Sequence, residues 1–144
     1  MAVELPPRLA RMSRVPMRLL RWGIPMGPLV LLRTVGRRSG LPRTAPVALV
    51  VRDDQTWLVS PFGDTQWVRN VRAHAVAELG RGRRLRTVHL IEVDGAVKVE
   101  VLRAYRRKYK IVPFVRTAFR AGPDDDVTAF AAEAGDHPAF RVER

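Results

Sequence analysis

The sequence predicts an α+β fold, mainly β: an antiparallel sheet curled or closed into a small barrel, with helices packed outside it. Three observations carry this. Short β-branched and apolar runs follow one another between residues 29 and 93, separated by turn residues, and so read as successive hairpins. Helical periodicity is confined to a few separate stretches. The chain has 144 residues, 47% of them apolar, which suits one domain with a core.

Residues 7–22 read as a basic amphipathic helix, with Met12, Val15, Leu19 and Trp22 on one face and Arg11, Arg14, Arg18 and Arg21 on another. Pro16 argues against one unbroken helix and allows a start near Ser13. Gly23, Pro25, Gly27 and Pro28 make a loop. The predicted division is residues 1–27, an N-terminal segment or lid, and residues 28–144, the barrel domain. Residues 29–35 and 44–52 read as strands, with Pro46 tolerable near a strand start or edge. Asp53-Asp54 turns the chain into a strand from Gln55 to Ser60, and Pro61-Phe62-Gly63-Asp64 ends it. Asp64 or Thr65 can cap a short helix through "TQWVRNVRAH". Ala75 to Leu79 and Leu85 to Val93 read as strands joined by a Gly80–Arg84 turn. Asp94 can cap a helix from Ala96 to about Tyr109, with Val97, Val101 and Tyr105 on one face. Residues 113–120 continue helically. Pro123 to Asp126 open a last short helix, their carboxylates favourable at its positive end, and "HPAFRVE" closes the chain as a strand.

Composition narrows the function. There is no cysteine, which excludes disulfides, thiolate metal sites and a cysteine nucleophile. His74, His89 and His137 are isolated, so no metal-ligand spacing appears, and His89 reads as an ordinary strand residue. No apolar run approaches the ~18 residues of a spanning helix, and no signal-peptide pattern is present. The net charge is +12, and residues 1–52 hold ten Arg against one Glu. Clustered Arg points to an anionic partner: nucleic acid, an anionic membrane, or a ligand bearing phosphate or carboxylate.

The densest chemistry lies in "RTVGRRSGLPRTAPVALV", residues 33–50. Between two apolar runs sits a turn framed by Gly36 and Gly40, where glycine frees the backbone and lets peptide N–H groups converge. Ser39 adds a hydroxyl, and Arg37, Arg38 and Arg43 add planar forks that match phosphate and carboxylate oxygens. By itself this is either an anion cradle or a solvated basic turn.

"TVGRRSGLPRTAPV" followed by "LVSPFGDTQWVRNVRAH" resembles the deazaflavin-dependent nitroreductase family, a branch of the flavin/deazaflavin oxidoreductases. That family shows a Gly-Arg-Lys/Arg-Ser/Thr-Gly turn with Pro and Arg after it, then Trp, two residues, Asn and Leu-Arg-Ala. The matching positions are Gly36–Gly40, Pro42, Arg43, Trp67, Asn70 and residues 71–73. The likeness runs over residues 30–144. It implies a split β-barrel that binds coenzyme F420, a deazaflavin with a phosphate and a polyglutamate tail, and acts as an oxidoreductase of nitroreductase or quinone-reductase type. By carry-over, Arg37, Arg38, Ser39, Gly40, Pro42 and Arg43 hold the phosphate and tail, and Ser60, Gly63, Trp67 and Asn70 line or support the ring and ribityl end. Some relatives carry a Lys in the loop before the Trp, where this chain has Pro61-Phe62-Gly63 and a shorter loop, which keeps FMN as the alternative cofactor.

The resemblance further implies hydride transfer to a small hydrophobic acceptor: a quinone, nitroaromatic or enone. No metal or protein nucleophile is needed. Tyr105 and Tyr109, one helical turn apart, are either substrate-side phenols or ordinary helix packing. The expected setting is cytoplasmic, as monomer or homodimer. Residues 8–22 serve as a lid, as packing, or as a peripheral membrane contact at the inner face. Two competitors stand beside this reading: a cofactor carrier of the same fold, and a basic nucleic-acid-binding module. Against the module, no recognised nucleic-acid motif appears, so no specific nucleic acid is expected.

Overall fold

In the computed structural model, the structure describes residues 29–144. Six strands, β1 (Leu29–Val35), β2 (Pro42–Arg52), β3 (Gln55–Val59), β4 (Val76–Arg81), β5 (Arg84–Val93) and β6 (Ala139–Glu143), close an antiparallel barrel in the order β1-β2-β3-β6-β5-β4. Among the described residues, four α-helices accompany it: α1 (Gln66–Ala73), α2 (Gly95–Lys108), α3 (Pro113–Ala118) and α4 (Val127–Glu133). The fold is the expected α+β split barrel. The readings made for residues 1–27 lie outside the described residues.

β2 is long because it serves two partners: its first part, Pro42 to Ala48, pairs with β1, and Leu49 to Arg52 pair with β3. The two-residue turn between β2 and β3 puts Asp53 at φ 55° and Asp54 at φ 58°. Aspartate is among the few non-glycine residues that tolerate this left-handed region, which suits a tight hairpin.

Two apolar clusters explain the strand patterns. Every strand contributes alternate residues to the first, including Val30, Leu32, Val47, Leu58, Ala77, Val88, Leu90 and Phe140; this is the barrel interior. Trp67, Val68 and Val71 of α1 join it. The second lies between the outer face of β2, β3 and β6 and the helices, with Val50, Trp57, Val59, Val101, Leu102, Tyr105, Phe119 and Phe130. β3 is therefore buried on both sides: Trp57, Leu58 and Val59 are all inaccessible.

Several local expectations change. The β4–β5 turn is only Gly82 and Arg83, tighter than Gly80–Arg84. A Cβ on Gly80 would lie 2.1 Å from the Arg84 carbonyl oxygen, so glycine is what lets the two backbones approach. α2 begins at Gly95, and Asp94 makes no side-chain capping bond. Its buried stripe is Val101, Leu102 and Tyr105, while Val97 is 50% exposed. Successive steps of four residues drift around a 3.6-residue helix, which carries Val97 off the stripe. Thr65 precedes α1 without a capping bond. Residues 113–118 form a separate helix with Pro113 at its start, where an N–H would have no partner within the helix. Asp126 does cap α4, accepting from the Thr128 and Ala129 N–H groups.

Candidate functional site

The β1–β2 turn is tight and internally bonded. The Gly36 N–H donates to the Leu41 carbonyl and the Gly40 N–H to the Gly36 carbonyl, each at 2.8 Å. The Leu41 N–H donates to Ser39 Oγ at 3.1 Å. Gly40 sits at φ 72°, where glycine is favoured. Gly36 does not; its reason is crowding, because a Cβ there would meet Ser39 Oγ at 2.7 Å and the Leu41 carbonyl oxygen at 3.0 Å. The peptide N–H groups of Gly36, Arg37, Gly40 and Leu41 are committed within the protein, and the guanidinium groups of the turn surround them.

Helix α1 lies against this turn through Asn70, which is 3% exposed. Asn70 Oδ1 accepts from the Arg37 N–H at 3.2 Å and from Arg37 Nη1 at 2.9 Å. Asn70 Nδ2 donates to Thr34 Oγ1 at 3.2 Å. Gln66 Oε1 accepts from the same Arg37 Nη1 at 2.9 Å. The two sequence motifs thus meet through hydrogen bonds.

Between them is a cleft of about 730 Å³ lined by Gly36, Arg37, Arg38, Ser39, Pro42, Arg43, Thr44, Gln66, Arg69 and Asn70. Its volume is in the range of small-molecule sites. Among the described residues, no carboxylate lines it. Among the described residues, Arg38, Arg43 and Arg69 form no ion pair, and Arg37 meets only neutral amide oxygens. Uncompensated guanidinium charge around a cleft fits a ligand with several anionic groups. A phosphate with a carboxylate tail meets that requirement.

Of the residues expected at the cofactor, Arg37, Arg38, Ser39, Pro42, Arg43 and Asn70 come together here. Gln66, Arg69 and Thr44 were not anticipated. Helical spacing could have found the first two, because Gln66, Arg69 and Asn70 share a face of α1 opposite Trp67, Val68 and Val71. Gly40 frames the turn without lining the cleft. Ser60, Gly63 and Trp67 shape the approach to α1. Ser60 Oγ donates to the Gly63 carbonyl at 2.6 Å within the loop before α1, and the Trp67 ring packs on Phe140 at 5.4 Å inside the barrel.

Tyr105 and Tyr109 are not among the cleft residues. They pack edge to face, ring centroids 5.0 Å apart, in the outer core beneath α2. The Tyr109 hydroxyl donates to the Leu49 carbonyl. Burial pushes the Tyr109 phenol up to about 12 and that of the wholly enclosed Tyr105 higher still. Helix packing is the reading this geometry supports. His89 is an exposed strand residue, whereas His137 is 2% exposed and far from isolated. Its Nδ1 donates to the Pro61 carbonyl at 2.8 Å, its Nε2 lies 2.7 Å from Glu133 Oε1, and its ring stacks on Phe119 at 4.1 Å. Among the described residues, no group of three or more His, Asp or Glu side chains is placed to hold a metal ion.

The fold recurs in solved structures of low identity. An F420-H2 dependent reductase is 23% identical with a TM-score of 0.54, over 81% of this chain and 94% of that one. A chain solved as a domain-swapped dimer is 19% identical with a TM-score of 0.57, over 96% of this chain and all of that one. A conserved hypothetical protein from Mycobacterium tuberculosis is 15% identical with a TM-score of 0.54, over 96% and 80%. No curated protein matches the chain. The model of the F420H(2)-dependent quinone reductase family matches residues 17–113, two thirds of the sequence. That span contains both the arginine turn and the helix that pins it, and the chain belongs to the F420H(2)-dependent quinone reductase family.

Proposed function

We propose that this F420-dependent oxidoreductase holds the phosphate and polyglutamate tail of its cofactor in the arginine cleft, through Arg37, Arg38, Ser39, Pro42 and Arg43 from the turn and Arg69 from α1. The observation that carries the reading is the gathering of Arg37, Arg38, Arg43 and Arg69 around one cleft with no carboxylate among the described residues that line it. Asn70 and Gln66 act on Arg37, holding its guanidinium at the wall of the cleft. Ser60, Gly63 and Trp67 fix the loop and helix that carry Gln66, Arg69 and Asn70.

Reduced F420, when bound, supplies a hydride. The chain's part is to bind and orient: guanidinium groups anchor the anionic end, which fixes the position of the other end relative to an acceptor. The acceptor is a small hydrophobic molecule, a quinone, nitroaromatic or enone; the family match supports the quinone first. The setting is the cytoplasm, as monomer or homodimer.

Titration of the full chain with F420 tests the cofactor site. Binding is expected, and Arg38→Ala with Arg43→Ala should weaken it at least a hundredfold, since each charge-assisted bond contributes roughly 1.5–3 kcal/mol. Equal affinity in the double variant would refute the placement. FMN, which lacks the tail, should bind far more weakly than F420.

A further inference from the structure

We infer that the β4–β5 hairpin and the turn after α2 form a docking surface for an anionic lipid bilayer, separate from the cofactor cleft. The hairpin reads Arg81-Gly82-Arg83-Arg84-Leu85-Arg86, and all four arginines are exposed. Arg81 and Arg84 stand directly opposite each other as a cross-strand pair. Like charges in that position destabilise a hairpin, and among the described residues none of the four arginines has an ion-pair partner. Folding gains nothing from this arrangement, whereas an external anionic surface would compensate it.

The patch continues onto α2. Arg81 is near enough to Tyr109 for its charge to oppose the effect of burial on that phenol. Lys108 Nζ donates to the Leu49 carbonyl at 3.2 Å, the same oxygen that Tyr109 engages. Two residues beyond Tyr109, Ile111 is 78% exposed, flanked by Lys110. A protruding aliphatic side chain among basic residues is the pattern of an interfacial contact. Nucleic acid fits less well: no aromatic residue stands among the exposed large hydrophobic residues described, so no ring is available for base stacking.

Strand register brings the two parts of the patch to one end of the barrel. Leu29 pairs with Ala48, next to Leu49, and Leu31 pairs with Gly80, next to Arg81. The hairpin and the turn after α2 therefore share the Leu29 end of β1. The cofactor turn follows the other end of β1, seven residues along, about 20 Å at roughly 3.3 Å per residue.

The test is co-sedimentation of the full chain with phosphatidylcholine vesicles, with and without phosphatidylglycerol. The chain should partition onto the phosphatidylglycerol vesicles only, and more weakly as salt rises. Arg83→Gln with Arg84→Gln should lower partitioning about fivefold per residue, and Ile111→Ser about tenfold. F420 affinity should stay at the wild-type value in both variants, which separates failure here from failure of the cleft assignment. Equal binding to neutral vesicles would overturn the proposal. So would unchanged partitioning of both variants, or a loss of binding to duplex DNA rather than to vesicles.

Discussion

Asn70 holds Arg37 twice, accepting its backbone N–H at 3.2 Å and its guanidinium at 2.9 Å. One buried amide therefore fixes both the path of the turn and the direction of a side chain that faces the cleft. Its remaining donor engages Thr34 on β1. Asn70→Ala should lower stability by about 1–3 kcal/mol, because it leaves buried polar partners unmet. It should also weaken F420 binding without removing any charge. Thermal melts and a cofactor titration on the same variant check both effects.

Arg69 has no ion-pair partner among the described residues and lines the cleft from the helix side. Arg69→Ala should weaken F420 binding about tenfold. It should also flatten the salt dependence of binding, as one fewer charge contributes. Its melting temperature should stay close to wild type. Titrations at two or more ionic strengths measure this.

The Glu133–His137 pair joins the C-terminal helix to the loop before α1. Burial alone would raise the Glu133 carboxyl, but hydrogen bonds from His137, Ala121 and Arg120, together with the His137 charge, hold it below the usual value of 4.5. A depressed carboxyl contributes stability that is present above pH 4.5 and lost as pH falls through its lower folded value. Glu133→Gln should therefore destabilise the protein at neutral pH and reduce the fall in stability below about pH 4.5. Chemical denaturation across that acid range is the measurement.

Tyr109 behaves oppositely. Its phenol is raised from 10.0 to about 12, so its contribution is complete below pH 10 and is lost as pH rises through that window. Tyr109→Phe should cost about 1 kcal/mol through the lost bond to Leu49 and remove that alkaline decline. Its turnover with a quinone acceptor should match wild type; a loss of kcat beyond tenfold at unchanged stability would restore a catalytic role for this residue.

Much of this architecture was legible in the residues. The strand runs at 29–35 and 84–93 and the helix around Trp67 follow from local periodicity, which one sequence displays. What was not legible depended on contacts between distant segments. Nothing near position 70 shows that its amide will meet Arg37, or that His137 will reach Pro61 across the chain. Gly36 looked like a conformational requirement and proved a packing one, since its neighbours Ser39 and Leu41 fold back on it. Tyr105 and Tyr109 had the right spacing for a shared role, but spacing alone does not say whether a helix face meets a ligand or a core.

The most direct test compares two ligands across two proteins: F420, and the same deazaflavin riboside without phosphate and tail, each titrated into wild type and into Arg38→Ala with Arg43→Ala. Guanidinium recognition of the anionic end predicts that wild type prefers F420 about a hundredfold or more, and that the variant loses most of that preference while binding the riboside as before. A variant that keeps the full preference would contradict the account.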